Sequence, residues 1–168
     1  NWMWPAKNSG ENYRLYHGVK ALSEFVISLE INVPTGKDSL SMTQKYADGK
    51  RVQAPGTVIV SSVAEVIDIR KAVTPDIQTD TESHLIYVDF SGGHLDLGGS
   101  SFAQVNASVG NQTPDVDAKT LSNAFAGVQK LITEELIISG HDISAGGLIT
   151  ALLEMNFPNT SGGVSVDL

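Results

Sequence analysis

The apolar residues of this chain change their spacing along it, and that change limits the folds open to it. Leu15, Val19, Leu22, Val26 and Leu29 recur every three or four positions, giving one apolar face of a helix opened by Glu11 and Asn12. Thr57 to Val66 is instead a run rich in Val, Ile and Ser, the pattern of a strand, and His84 to Phe90 reads as a second, buried strand. Leu97-Gly98-Gly99-Ser100-Ser101 opens a short helix through Phe102, Val105 and Val109. Helical spacing continues in Leu121, Phe125, Val128, Ile132 and Leu136, with Asp115 or Asp117 near the start and Gly140 at the residue past the end. A last helix from Ala145 to about Met155 is expected to bury Leu148, Leu152 and Met155, with a closing strand after the Ser161-Gly162-Gly163 turn. Strands alternating with helices predict a layered α/β arrangement.

Breaks in the pattern divide it further. Asp48-Gly49 reads as a hairpin turn between Thr43-Gln44-Lys45-Tyr46 and Arg51-Val52. Residues 71–83 hold Pro75 and charges such as Asp76, Asp80 and Glu82 with no period, so they read as a connector between a unit 1–80 and a unit 84–168. The chain opens on Asn1-Trp2-Met3-Trp4-Pro5 and stops within an apparent strand at Leu168, which reads as a segment of a longer protein.

With 168 residues there is room for one domain or for one and part of another. A net charge of −8 argues against a nucleic-acid groove, which needs a basic stripe. A phosphate ligand stays open, because backbone N–H groups and Mg²⁺ can hold one. No apolar run approaches the roughly 18 residues of a membrane span. The chain has 0 cysteines, which excludes thiolate chemistry and is compatible with a reducing cytoplasm.

Two segments could carry chemistry. In Gly140-His141-Asp142-Ile143-Ser144-Ala145-Gly146-Gly147-Leu148, a carboxylate, a hydroxyl and paired glycines precede an apolar helix. Asp142 could ligate Mg²⁺, Ser144 could cap the helix or touch a phosphate, and Gly146 and Gly147 could admit the ligand to the backbone. A helix start with no ligand uses the same residues. His141 has no partner that spacing can name. The second segment is Pro34-Thr35-Gly36-Lys37-Asp38-Ser39-Leu40-Ser41-Met42. It is not a P-loop, since Ile31 and Asp38 stand where that motif needs Gly and Ser or Thr. Along an extended chain Lys37, Ser39 and Ser41 share one side and Asp38 and Leu40 the other, which gives either a phosphate contact or a solvated polar face.

These segments, with Asn1-Trp2-Met3-Trp4-Pro5, Pro55-Gly56-Thr57, Leu97-Gly98-Gly99-Ser100 and Glu154-Met155, closely resemble one family over essentially the whole chain. It is the long single-chain form of formylglycinamide ribonucleotide amidotransferase, also called phosphoribosylformylglycinamidine synthase. The related aminoimidazole ribonucleotide synthetases share its fold. The resemblance implies an α/β (α+β) chain: the end of a synthetase N-terminal-like subdomain over 1–80, then a truncated C-terminal-like subdomain over 84–168, both from the second of two tandem halves.

The family's enzymes use ATP and Mg²⁺ to phosphorylate the formyl amide oxygen of formylglycinamide ribonucleotide, and ammonia from glutamine then displaces the phosphate. The resemblance implies that Asp142 is a metal ligand, that Ser144, Gly146 and Gly147 contact nucleotide, and that Lys37, Asp38, Ser39 and Ser41 line the substrate cleft. It assigns no catalytic residue to this chain. Partners are the remaining synthetase and glutaminase domains of the same protein, in the cytoplasm. The family often carries Asp where this chain has Ala145, which removes one carboxylate. The alternative is a half whose nucleotide site only stabilises the synthetase core.

Overall fold

The computed structural model describes residues 1–168 except Asp80, Thr81, Gly162 and Leu168. The connector charge Asp80 and the middle of the Ser161–Gly163 turn thus lie outside the described residues. The architecture is mixed α/β, in two compact units, Asn1–Glu65 and Val66–Leu168.

In the first unit, β1 (Trp2–Met3) is the middle strand of a three-stranded sheet. It pairs in parallel with β2 (Asp38–Ser39) and antiparallel with β5 (Thr57–Val58). A separate hairpin joins β3 (Thr43–Lys45) to β4 (Arg51–Gln53). Its turn is the expected Asp48-Gly49, where the Asp48 carboxylate accepts the Lys50 N–H at 2.9 Å. Helix α1 (Glu11–Ser28) turns Leu15, Leu22, Val26 and Leu29 inward, while Val19 stays exposed and Gly18 and Phe25 join the half-buried stripe.

Trp4 is the pivot of this unit, 7% exposed. Its indole N–H donates to the Glu11 carbonyl at 3.0 Å, tying β1 to the first turn of α1. The Arg14 guanidinium lies 5.5 Å from its ring centre, and Trp2 packs against it at a tilt. The Gly56 backbone presses on the same ring so closely that a Cβ there would sit 2.4 Å from it.

Among its described residues the second unit holds a 3₁₀ turn, Ile69–Lys71, and three helices: α2 (Ser101–Val105), α3 (Ala118–Thr133) and α4 (Gly147–Asn156). Two helix starts follow their side chains. The Ser100 hydroxyl accepts the Ala103 N–H at 3.1 Å, and Asp117, of the two candidates, accepts the Thr120 N–H at 2.8 Å. That N–H, helped by the Thr120 hydroxyl, holds the Asp117 carboxyl below its usual range. Lys71 donates to the Thr133 carbonyl at 2.6 Å and pairs with Glu135 at 3.4 Å, placing a cation on the negative end of α3.

The structure corrects several expectations. Strand pairing in Thr57–Val66 covers Thr57–Val58 and is carried one residue further by Ile59, whose N–H donates to the Asn1 carbonyl at 2.8 Å while the Asn1 ammonium donates to the Ile59 carbonyl at 2.7 Å; Val63 beyond it is 99% exposed. His84–Phe90 forms no strand, and Leu85 to Val88 are exposed rather than buried. No closing strand forms among the described residues after Gly163. Apolar β-branched residues make a strand only where a partner backbone meets them. Helix α2 stops at Val105, short of Val109, and Ala107 is left-handed at φ 54°. Helix α3 ends before Gly140, because Glu135 takes the left-handed position at φ 58° and the Leu136 N–H returns to the Leu131 carbonyl at 2.9 Å. In α4, Ala151 and Met155 are buried, while Leu148 and Leu152 are half-buried. No helix among the described residues is long and apolar enough to cross a membrane.

Candidate functional site

In the second unit the segment from Gly140 to Gly146 crosses from α3 to α4 without regular structure. The Gly140 N–H donates to the Thr74 carbonyl at 3.1 Å, and the Gly147 N–H to the Ser144 carbonyl at 3.0 Å. That turn makes Gly146, not Ser144, the residue that caps α4, and no side chain caps the helix. The Ser144 side chain is thus unspent on the helix and exposed.

The two glycines differ. Above Gly146 a Cβ would come within 2.6 Å of Thr150, whose hydroxyl donates to the Gly146 carbonyl at 2.8 Å. The space a ligand would use is therefore filled by a neighbour on α4. Gly147 is left-handed at φ 76°, and nothing stands within 4 Å of where its Cβ would be. Of the pair, Gly147 is the one with open space beside it.

Asp142 presents its carboxylate to solvent, with its side chain 85% exposed. The adjacent His141 is turned inward, at 18%. Its Nδ1 lies 2.7 Å from the Asp142 carbonyl oxygen and 3.5 Å from the Asp142 carboxylate. Its Nε2 lies 3.0 Å from a Glu154 carboxylate oxygen on α4. Sequence spacing could not name this partner: the two are separated by a turn and most of a helix.

One hard oxygen ligand with open surroundings fits Mg²⁺, which takes one or two carboxylates and completes its shell with phosphates and water. Among the described residues, no three His, Cys, Asp or Glu side chains converge to hold a metal by themselves. Asp142 thus suits an ion that arrives with a nucleotide.

In the first unit, β2 at the edge of its sheet carries Asp38 and Ser39, with Lys37 just before it and Ser41 beyond it. The Lys37 ammonium donates to the Ser39 hydroxyl, so these two share a side as the period of two requires. They line an open hollow of about 380 Å³ with Asn1, Trp2, Met3 and Ile59. Asp38 is exposed and outside that lining. Ser41 bridges to Pro5, beyond the hollow. The structure thus brings Lys37 and Ser39 together, and leaves Asp38 and Ser41 apart from them.

Comparison with known proteins covers both units. The model of the FGAR-AT PurM_N-like domain matches residues 1–65, and that of the AIR synthase related protein, C-terminal domain, matches residues 85–168. The chain is 46% identical over 170 residues to a probable phosphoribosylformylglycinamidine synthase, chloroplastic/mitochondrial, of Arabidopsis thaliana, covering 100% of this chain and 12% of that protein. Proteins named phosphoribosylformylglycinamidine synthase from Dictyostelium discoideum and Homo sapiens are 40% and 41% identical over 168 and 164 residues, each across 96% of this chain. The chain spans 12% of the length of each of these curated relatives. No solved structure matches it. By these matches the chain belongs to the AIR synthase related family, in the branch of the phosphoribosylformylglycinamidine synthases.

Proposed function

We propose that this chain is an internal part of an ATP- and glutamine-dependent amidotransferase that converts formylglycinamide ribonucleotide to formylglycinamidine ribonucleotide. The observation that carries this reading is the order of the two domain matches, together with 40–46% identity to relatives named as that synthase. The chain's share of those relatives, 12%, goes with a segment of the second synthetase-like half that does not turn over alone. The subdomains are proposed to run over 1–80 and 84–168. The remaining synthetase and glutaminase domains are its partners within one protein, and its place is the cytoplasm.

Asp142 would hold Mg²⁺ through its exposed carboxylate, and Ser144 and the open side of Gly147 would meet nucleotide phosphate. Gly146 contributes through its backbone alone, since Thr150 occupies its free side. Lys37 and Ser39 offer an ammonium and a hydroxyl side by side, a donor pair suited to a substrate phosphate, while Asp38 and Ser41 would meet substrate from outside that pair. ATP, when bound, supplies the phosphoryl group that activates the amide oxygen.

The test is turnover by the full-length protein. Glutamine, ATP, Mg²⁺ and the ribonucleotide together are expected to give the amidine with one phosphate released per product. ATP hydrolysis that ignores the ribonucleotide would reject the reading.

A second reading has one observation of its own. His141 ties the Asp142 segment to Glu154 on α4, so a nucleotide bound there could serve only to hold the synthetase core together. The two readings part on what Asp142→Ala does to turnover.

A further inference from the structure

We infer that Glu154 is a positioning residue for Asp142, acting through the imidazole of His141. The inference rests on the reading that Asp142 meets the Mg²⁺ of a bound nucleotide. Asp142 sits in a stretch without helix or strand pairing, and a carboxylate on such a stretch does not hold a fixed place by itself. Its neighbours are anchored on either side, by Gly140 on Thr74, by the Ser144 carbonyl on the Gly147 N–H and by the Thr150 hydroxyl on Gly146.

His141 supplies the anchor in the middle. Its ring is mostly covered, and its two nitrogens face oxygens on opposite sides: Glu154 at 3.0 Å and the Asp142 carbonyl at 2.7 Å. The Nδ1 contact fixes the peptide group that carries the Asp142 side chain. The Nε2 contact fixes the ring to α4, one residue from Met155 and three from Ala151, both buried. A rigid helix thereby sets the position of an exposed carboxylate through one intervening side chain. Groups one step removed from a metal ligand act this way, and their loss typically lowers metal affinity about 10–100-fold.

The experiment uses the full-length protein and measures Mg²⁺-dependent ATP affinity by calorimetry, with melting temperature alongside. Asp142→Ala is expected to weaken Mg·ATP binding, and Glu154→Ala to weaken it about tenfold. Glu154→Gln keeps a hydrogen-bonding oxygen and is expected to recover most of that loss. The double variant Asp142→Ala/Glu154→Ala is expected to bind no more weakly than Asp142→Ala alone, because Glu154 acts through Asp142. A merely structural glutamate gives additive losses and no recovery by Gln, and that result overturns the inference. So does a Glu154→Ala protein that binds Mg·ATP as wild type does while Asp142→Ala binds weakly. If Asp142→Ala itself leaves Mg·ATP binding unchanged, the reading of Asp142 fails first and the inference falls with it.

Discussion

Replacing Gly56 by Ala places a methyl group 2.4 Å from the Trp4 ring. Carbon atoms pack at about 3.5–4.0 Å, so ring and backbone must separate by about 1 Å. Trp4 cannot give way freely, because its N–H holds the Glu11 carbonyl at 3.0 Å and Arg14 covers its face. Overpacking of this kind costs about 1–3 kcal/mol, and straining the indole hydrogen bond adds about 0.5–1.5 kcal/mol. The expected loss is therefore about 2–4 kcal/mol, against the roughly 3–10 kcal/mol that a unit of 65 residues can hold. The chain's 2 tryptophans, Trp2 and Trp4, both lie in this unit, so fluorescence-detected urea unfolding reads it alone. With a slope near 1 kcal/mol per molar urea, the midpoint should fall by about 2 M or more, or the unit should be unfolded without denaturant. Gly36→Ala is the control, since nothing lies within 4 Å of its added methyl. A Gly56→Ala midpoint within about 0.3 M of wild type would refute the packing argument.

Other expectations follow from the same structure. Ser100→Ala removes the cap of α2 and should cost about 1 kcal/mol, read as faster hydrogen exchange at the Ala103 amide. Lys71→Ala should cost about 0.3–1 kcal/mol and speed exchange in the last turn of α3, where Lys71 meets the Thr133 carbonyl. Asp117 has its pKa lowered from 3.8, so its stabilising effect is present above that value and lost as pH falls through the folded pKa. Asp117→Asn should remove that acid-side loss, as seen in pH-dependent melting. Glu30 holds φ 57° at the end of α1, so Glu30→Gly relieves about 1–2 kcal/mol of strain. Offset by the greater freedom of Gly in the unfolded chain, the net gain in urea stability is about 0.5–1 kcal/mol.

What could be read from the sequence was what the chain settles locally. The stripe of α1 apart from Val19, the Asp48-Gly49 turn, the helix opening at Ser100-Ser101 and the Asp at the start of α3 depend on residues within four positions, and these are present. Strands depend on a partner far away in sequence, and the runs at 57–66 and 84–90 show the difference. Both have strand composition; one pairs only over its first three residues and the other not at all. Ser144 looked like a cap because Ser before glycines usually is one, but its carbonyl is taken by the Gly147 N–H and the helix starts later. At the candidate site, the alternation of Lys37 and Ser39 was legible from period two alone. The His141–Glu154 contact was not, since no local rule joins a loop histidine to the last turn of the next helix.

The account stands on Asp142 acting in turnover rather than in support. The direct measurement is glutamine-dependent turnover per folded molecule of full-length Asp142→Ala, with its melting temperature taken on the same sample. The account predicts that turnover falls while the melting temperature stays close to wild type. A lowered melting temperature with turnover per folded molecule intact would contradict it.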